Sequence, residues 1–479
     1  MALLTKSKYL IGLQCPQYLW TIFNDKDKIQ KPDETAEFNF EQGYEVEKLA
    51  KLLYPQGVNQ DTEDFAKNLK ETRKNVLKQK TIYEAGFRHK NCFARADILI
   101  PAGDSWDIVE VKSSSNLKDV HIQDVAFQKY VYEGSGLTIR RCFLLHLNKD
   151  YVRKDKLDIK KLFVREDITI KVNEEIKGIH KRIEDMFKII KLDKVPKIKV
   201  GKHCSKPYPC PLNCWDNVPE NNVFCLYRGG KLSCELYEKG IETIKDIPDE
   251  IKLNDKQGIQ KDCEKKKKIH VHKEKIKHFL KTLHYPLYYL DFETFSTVVP
   301  KFKNLKPYSQ VPFQFSLHVV ESKGSEPKHY DFLYSGHDDP RLDFLTALKK
   351  VLGTKGSIVV YNQSFEINRL KELALAFPSY SDWVSNVITR IVDLLVPFKN
   401  FSYYNPKQEG SASLKKVLPA LVGKDYSNLD ISDGGLASVK FFNMAYYDGK
   451  DVSKSLLEYC CLDTLGMVWI VDALREVIK

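Results

Sequence analysis

The feature that most constrains this chain is a strand pattern that starts twice. Runs alternating as strands do, "TIYEAGFRH", "NCFARADILI" and "WDIVEVKSS", cluster in the first quarter, with "PAGD" turning between the last two. A second cluster, "LYYLDFE", "PFQFSLHVV" and "HYDFLYS", begins near residue 288. Each is followed by helix-like sequence and a further strand: "HIQDVAFQKYVYE" then "RRCFLLHLN", and "PRLDFLTALKKVL" then "SIVVYN". No internal repeat relates the two clusters, and 479 residues exceed what one core holds. The pattern therefore predicts two different α/β domains, residues 1–215 and 285–479. Between them, the helix-Gly-helix rhythm of "CELYEKGIETIKDIPDE" and the basic "DCEKKKKIHVHKEKIKHFL" predict a short helical linker over 216–284. Lys265 to Lys268 read best as a solvated face.

Composition narrows the functional classes. No run of 18 apolar residues occurs, so no membrane-spanning helix is expected. The opening "MALLTKSKYLIGLQCPQYLW" has too short an apolar run for a secretory signal, which leads to an expected cytoplasmic location. A formal charge of +12, spread along the chain, favours polyanionic partners such as nucleic acid and equally fits solvated surface lysine. Eleven cysteines in a chain of this length read as reduced thiols plus a metal site rather than a disulfide framework.

The acids carry the chemistry. In "YYLDFETFS", Asp291 and Glu293 stand two apart and so share one face of a strand. Like charges held that close repel unless something positive lies between them. Glu366 falls in the first turn of a helix after "SIVVYN", and Tyr459 and Asp463, four apart, share a helix face. Four carboxylates and a tyrosine fit two-metal phosphodiester hydrolysis with Mg²⁺ or Mn²⁺, hard cations that take oxygen ligands. Asp393 in "RIVDLLVPF" is a substitute ligand by position but reads better as structural. "LDFET", "YNQSFE" and "YCCLD" resemble the three motifs of the DEDD exonucleases in their tyrosine branch, on an RNase H-like fold with flanking helices. That resemblance implies 3′-to-5′ exonuclease activity, with Asp291, Glu293 and Asp463 as metal ligands and Tyr459 positioning the water. Glu366 stands where the family usually has Asp.

A second set lies upstream. Asp97 precedes "DIVEVKSSS", where Glu110 and Lys112 share a strand face, and Gln128 and Tyr132 lie at i, i+4 on the following helix. An Asp and a Glu can hold a metal while an ammonium stabilises charge developing on phosphate. "RADILI", "VEVKS" and "QKYVY" resemble the RecB-like PD-(D/E)XK nucleases, with a restriction-endonuclease-like core and a Q-x3-Y signature. The resemblance implies Asp97 and Glu110 as metal ligands, Lys112 as catalytic, and Gln128 with Tyr132 contacting substrate or supporting the site. For the first motif, where that family often has His, "GYEVEKLA" offers Glu45 or Glu47, with Glu45 preferred. Cys15 lies before this core and Cys204, Cys210 and Cys214 after it, so one metal centre would staple the domain's ends. This resembles the iron–sulfur RecB-like nucleases and implies a 4Fe-4S cluster; four thiolates suit tetrahedral zinc as well. The remaining cysteines, Cys460 and Cys461 included, read as core thiols.

With "LLHLNKDYVR", "YPLYYLDFETF" and "LLEYCCLDT", the chain resembles an uncharacterised bacterial family that fuses a RecB-like module to a C-terminal domain of unknown function. The expected function is a bifunctional metal-dependent nuclease, DNA favoured over RNA. The alternatives are an RNA-directed exonuclease or a nucleic-acid-binding scaffold whose sites have decayed.

Overall fold

The computed structural model describes residues 2–447 and 449–479. The chain is α/β and divides into two units. One runs to Trp215 and includes Thr297–Ser309; the other comprises Asp216–Ser296 and Gln310–Lys479.

In the first unit, α1 (Lys6–Gln14) and α2 (Pro16–Asn24) flank Cys15, and α3 (Glu34–Lys51) follows. The sheet is built from β1 (Ile82–His89), β2 (Cys92–Ala102), β3 (Ser105–Lys112), β4 (Ile139–Leu147) and β5 (Phe163–Asp167), with α4 (Asp119–Gly134) between β3 and β4. Strands β1, β2 and β3 form an antiparallel meander whose second turn uses Gly103 at φ +67°. Strand β4 then pairs parallel to β3, as a helical crossover requires, and β5 closes the edge antiparallel. Two-residue strands at Leu4–Thr5 and Val58–Asn59 add to β2 and β1. The sheet is covered on both faces. Ile108 and Leu144 pack toward Val125, Phe127 and Val131 of α4, while Val109, Phe143 and Leu145 pack toward Val46 and Ala50 of α3. Burial on both faces explains why these strands read as nearly continuous apolar runs.

The second unit is built on β6 (Leu287–Ser296), β7 (Gln310–Val320), β8 (Lys328–Leu333), β9 (Ser357–Val360) and β10 (Ile391–Asp393), in the spatial order β8-β7-β6-β9-β10. The first three pair antiparallel, and β9 and β10 add in parallel to β6. Helices α5 (Ser364–Ala376), α6 (Leu414–Leu421), α7 (Gly434–Tyr446) and α8 (Ser453–Val477) complete the frame. Tyr288, Leu290 and Phe292 of β6 enter an apolar core with Phe315, Leu317, Phe344 and Leu370. Strand alternation sends Asp291 and Glu293 to the opposite face, where α7 and α8 pack.

Residues 216–284 differ from the expected linker. Val223, Leu226, Leu236, Ile244 and Ile247 form a small core of their own, and His270–Val271 pairs antiparallel with Tyr403–Tyr404 of the second unit. Of the lysine run, Lys265 and Lys266 make exposed ion pairs with Asp249 and Asp262. No described helix is long and apolar enough to cross a membrane.

Candidate active sites

In the second unit the acids meet. Opposite Glu293 the ladder slips: Thr294 faces Pro312 and Glu293 faces Gln314, which leaves Phe313 as an extra residue. Such a bulge re-aims side chains where a site is built. Carboxylate oxygens of Asp291 and Glu293 and the Cys460 sulfur all lie within 4.8 Å of one another. Helix α8 is keyed to β7 by side chains. Gln314 Nε2 donates to the Leu456 carbonyl at 2.8 Å, and Thr464 Oγ1 meets Ser316 Oγ at 2.7 Å and His318 Nδ1 at 2.8 Å. That register turns Tyr459 and Asp463 toward β6. Tyr426 donates its hydroxyl to Asp463 Oδ1 at 2.5 Å, and Gly434 at the start of α7 lies beside Glu293, where an added Cβ would sit in ordinary contact 3.5 Å from its Oε2.

Electrostatics show how crowded this point is. Burial and then Asp463 push the Asp291 carboxyl well above its ordinary range; burial, Asp291 and Asp463 do the same to Glu293. Burial and then Asp291 raise Glu366, whose Oε2 is buried without a hydrogen-bond partner. Asp463 is pushed up to about 6 by burial, against the pull of the Tyr426 hydroxyl and Lys415. Lys415 is the cation that Asp291, Glu293 and Asp463 share, and its Nζ lies 5.2 Å from the Tyr459 ring centroid and 5.7 Å from that of Tyr426. The structure thus brings together Asp291, Glu293, Glu366, Asp463 and Tyr459, and adds Lys415, Tyr426 and Cys460. No motif spacing marked Lys415 or Tyr426. Asp393 caps backbone instead: its Oδ1 accepts from Asn362 N at 2.9 Å and Leu395 N at 3.0 Å.

In the first unit, the β2–β3 ladder pairs Ile98 with Val109 and then opens, and Asp97 Oδ2 takes the freed Val111 N–H at 2.7 Å. Lys112 Nζ bonds Glu110 Oε1 at 2.6 Å and Asp124 Oδ2 at 2.7 Å. Lys6, at the start of α1, reaches Glu110 Oε1 at 2.8 Å and lies 3.6 Å from Asp97 Oδ1. Gln128 Nε2 bridges Glu110 at 2.7 Å and Asp124 at 3.0 Å. Burial would lower the Lys112 ammonium, but Asp124 and Glu110 outweigh it and hold it above its ordinary value. Burial, Asp124 and Asp97 push Glu110 up to about 7. Burial opposes ionisation of Asp124 as well, yet Lys112 and Lys6 hold it below the usual carboxylate range.

Two expectations are decided here, and two further residues join the site. Tyr132 is wholly buried: its hydroxyl accepts from Ala96 N at 2.7 Å and donates to the Ala85 carbonyl, so of its two expected roles the geometry fits support, bracing β1 against β2. Glu45 is exposed, beside Lys301 and Lys48. Glu47, two residues on and so on another face of α3, bonds Lys51 at 2.5 Å and the Glu84 carboxyl, and feels Lys6. Glu84 went unrecognised. The register puts it opposite Asp97, its φ is +54°, and burial with its Glu47 partner pushes it up to about 9. Asp124 was also missed, although it stands four residues before Gln128 on one helix face.

The four cysteines gather. Burial raises Cys15, Cys210 and Cys214, Cys210 to about 11, and each is raised further by others of the set, Cys204 included. Cys210 N donates to the Cys204 carbonyl at 2.8 Å, and Gln17 Nε2 approaches Cys214 Sγ at 3.5 Å. Cys15 caps α2 ahead of Pro16. All four are free thiols. Among the described residues, the donor groups closing within 4.8 Å lie elsewhere, so no three of these sulfurs crowd as they would around one ion.

Residues 288–413 match the family described as Domain of unknown function (DUF2779). That stretch contains Asp291, Glu293 and Glu366 and ends before Lys415 and α8. The chain is 29% identical over 215 residues to the uncharacterized protein MG366 of Mycoplasma genitalium, and 28% over 214 residues to its homolog in Mycoplasma pneumoniae. It is 26% identical over 216 residues to the uncharacterized protein UU173 of Ureaplasma parvum. Each match takes in 40% of this chain, and the chain spans about a third of the length of these relatives, 31–32%.

Proposed function

We propose that the second unit is a metal-dependent phosphodiesterase that shortens nucleic acid strands from the 3′ end, DNA in preference to RNA. The observation that carries this reading is the crowding of carboxylates on one face of β6: Asp291 and Glu293 have oxygens within 4.8 Å of each other, Asp463 acts on both and shares Lys415 with them as counter-charge, and Glu366 is raised by Asp291 beside them. The donor set fits hard divalent cations, since it offers carboxylate oxygens and one of them, Glu366 Oε2, lacks any partner. Asp291, Glu293, Asp463 and Glu366 would hold Mg²⁺ or Mn²⁺, which when bound supplies Lewis acidity for phosphodiester hydrolysis. Tyr459 orients the attacking water, its hydroxyl fixed against Asp463. Lys415 offsets charge on the substrate phosphate. The sheet order, with an antiparallel hairpin on one side of β6 and parallel strands on the other, supports the RNase H-like reading.

A second site of the same class is favoured in the first unit by the convergence of Asp97, Glu110, Lys112 and Gln128. There a metal ion between Asp97 and Glu110 has to displace Lys6. For the thiols, zinc at about 2.3 Å from each sulfur would set them about 3.8 Å apart. Four gathered thiolates suit a 4Fe-4S cluster, the reading carried by the order of one cysteine before the core and three after it.

The deciding experiment follows 5′- and 3′-end-labelled DNA and RNA strands with Mn²⁺ and the full chain purified without oxygen. Wild type should shorten strands from the 3′ end, and Asp463→Asn should slow this more than about a hundredfold, since even outer-shell partners of a metal cost 10–100-fold. Equal shortening by both proteins, or none by wild type, would remove the proposal. Products lost in Lys112→Ala and kept in Asp463→Asn would report the first unit separately.

A further inference from the structure

One cluster on the same sheet has no place in phosphodiester chemistry. His318 of β7 and His329 of β8 are directly paired across the antiparallel ladder, with ring centroids 4.4 Å apart. Cys461 comes down from α8, and donor atoms of the three side chains all lie within 4.8 Å of one another. Each imidazole has one nitrogen fixed by a hydroxyl. His318 Nδ1 meets Thr464 Oγ1 at 2.8 Å, and His329 Nε2 meets Ser316 Oγ at 2.9 Å. The nitrogens left for a ligand are His318 Nε2 and His329 Nδ1. The latter stands 3.8 Å from Asp331 Oδ2, and Asp331 is close enough to Cys461 to act on its thiol.

We propose that His318, His329 and Cys461, with Asp331 as the fourth ligand, form a zinc-class metal site distinct from the carboxylate site. Two imidazoles, a thiolate and a carboxylate match the donors of four-coordinate zinc, whereas Mg²⁺ and Mn²⁺ disfavour sulfur. Bond lengths of about 2.0–2.3 Å put tetrahedral donors about 3.3–3.6 Å apart, so donors now within 4.8 Å of one another, with Asp331 Oδ2 at 3.8 Å from His329, draw in by side-chain rotation on binding. The two hydroxyls supply the second shell that fixes ring orientation in metal sites. The site is reachable, because the His329 and Asp331 side chains are 28% and 45% exposed at the sheet edge. Its position gives it a task. Cys461 and Thr464 flank Asp463 on α8, so metal here clamps the helix that carries Tyr459 and Asp463 onto the β7–β8 hairpin. The motive for placing a metal here is geometric and independent of the activity proposed above.

The test compares the full-length wild type with His329→Ala and Cys461→Ser. Each is stripped with chelator, loaded with Zn²⁺ alone and dialysed, and bound zinc is then counted by mass spectrometry. Wild type should retain one more equivalent than either variant, with at least about a hundredfold weaker zinc binding in each. Loaded with Co²⁺, wild type should show a thiolate charge-transfer band whose intensity falls in Cys461→Ser by one site's share. His329 sits on the exposed edge strand, so His329→Ala keeps the comparison valid even if Cys461→Ser misfolds. Equal zinc content and affinity in wild type and His329→Ala would overturn the site and leave a hydrogen-bonded helix dock.

Discussion

The two acid clusters of this chain use the same residue types and differ in what faces them. In the first unit, Glu110 and Asp124 are met by Lys6, Lys112 and Gln128 at 2.6–3.0 Å. In the second, Asp291, Glu293 and Asp463 share Lys415, which lies over two tyrosine rings, and Glu366 has an oxygen with no partner at all. The first cluster meets its acids with two lysines and an amide in direct contact, so an added ion has to compete with them. The second is held against its own repulsion, the condition that a bound cation relieves. Carboxylate motifs alone do not separate these cases; the neighbouring cations do.

The sharpest way to break this contrast is to remove a lysine. Lys112→Ala leaves Asp124 and Glu110 buried with less counter-charge and should cost about 3 kcal/mol, the low end for a broken buried pair because Lys6 remains. In a unit of this size that is about 6–12 °C in Tm, read by calorimetry. Adding metal tests the other cluster. At a hundred times its Kd, Mn²⁺ should stabilise the second unit by about 2.7 kcal/mol, and Asp291→Asn should abolish that gain. A melt that ignores Mn²⁺ would place the cation need elsewhere.

pH sharpens the comparison further. With Asp463 lifted from 3.8 to about 6, the folded chain binds more protons than the unfolded one across that window. In chelator the stability of the second unit should therefore fall as pH rises from about 4 to about 6, and Asp463→Asn should make the fall shallower by one residue's share, the raised Asp291, Glu293 and Glu366 carboxyls carrying the rest. The smallest effect concerns α3. Glu47→Ala removes the partner of Glu84 and should cost about 1–2 kcal/mol, whereas Glu45→Ala, at an exposed position, should stay within about 0.5 kcal/mol. Equal losses would undo the assignment of Glu47 to the site.

Much of the site was legible because strand and helix periods are local rules. Two residues apart on a strand, or four on a helix, means one face, and this suffices to pair Asp291 with Glu293 and Tyr459 with Asp463. The same rule could not choose between Glu45 and Glu47, and the preference for Glu45 misled because the side of α3 that meets the sheet is set by packing. The two roles open to Tyr132 were undecided for a related reason. Its spacing from Gln128 is right for a shared face, yet only the depth of α4 against β1 and β2 shows that its hydroxyl ends on backbone. Residues 216–284 looked like a linker because their composition is polar and basic, and the small core that organises them is scattered over Val223 to Ile247.

By itself the sequence determined the α/β class, the two strand clusters and the acids each strand and helix would present, since these follow from side-chain periodicity along a short stretch. Tertiary structure decided the rest: that Lys6 reaches across 104 positions to Glu110, that Lys415 and Tyr426 enter the carboxylate site, and that Cys461 lands beside a histidine pair. Such contacts join segments distant in the chain. Their geometry depends on how sheets and helices pack, which no local pattern encodes.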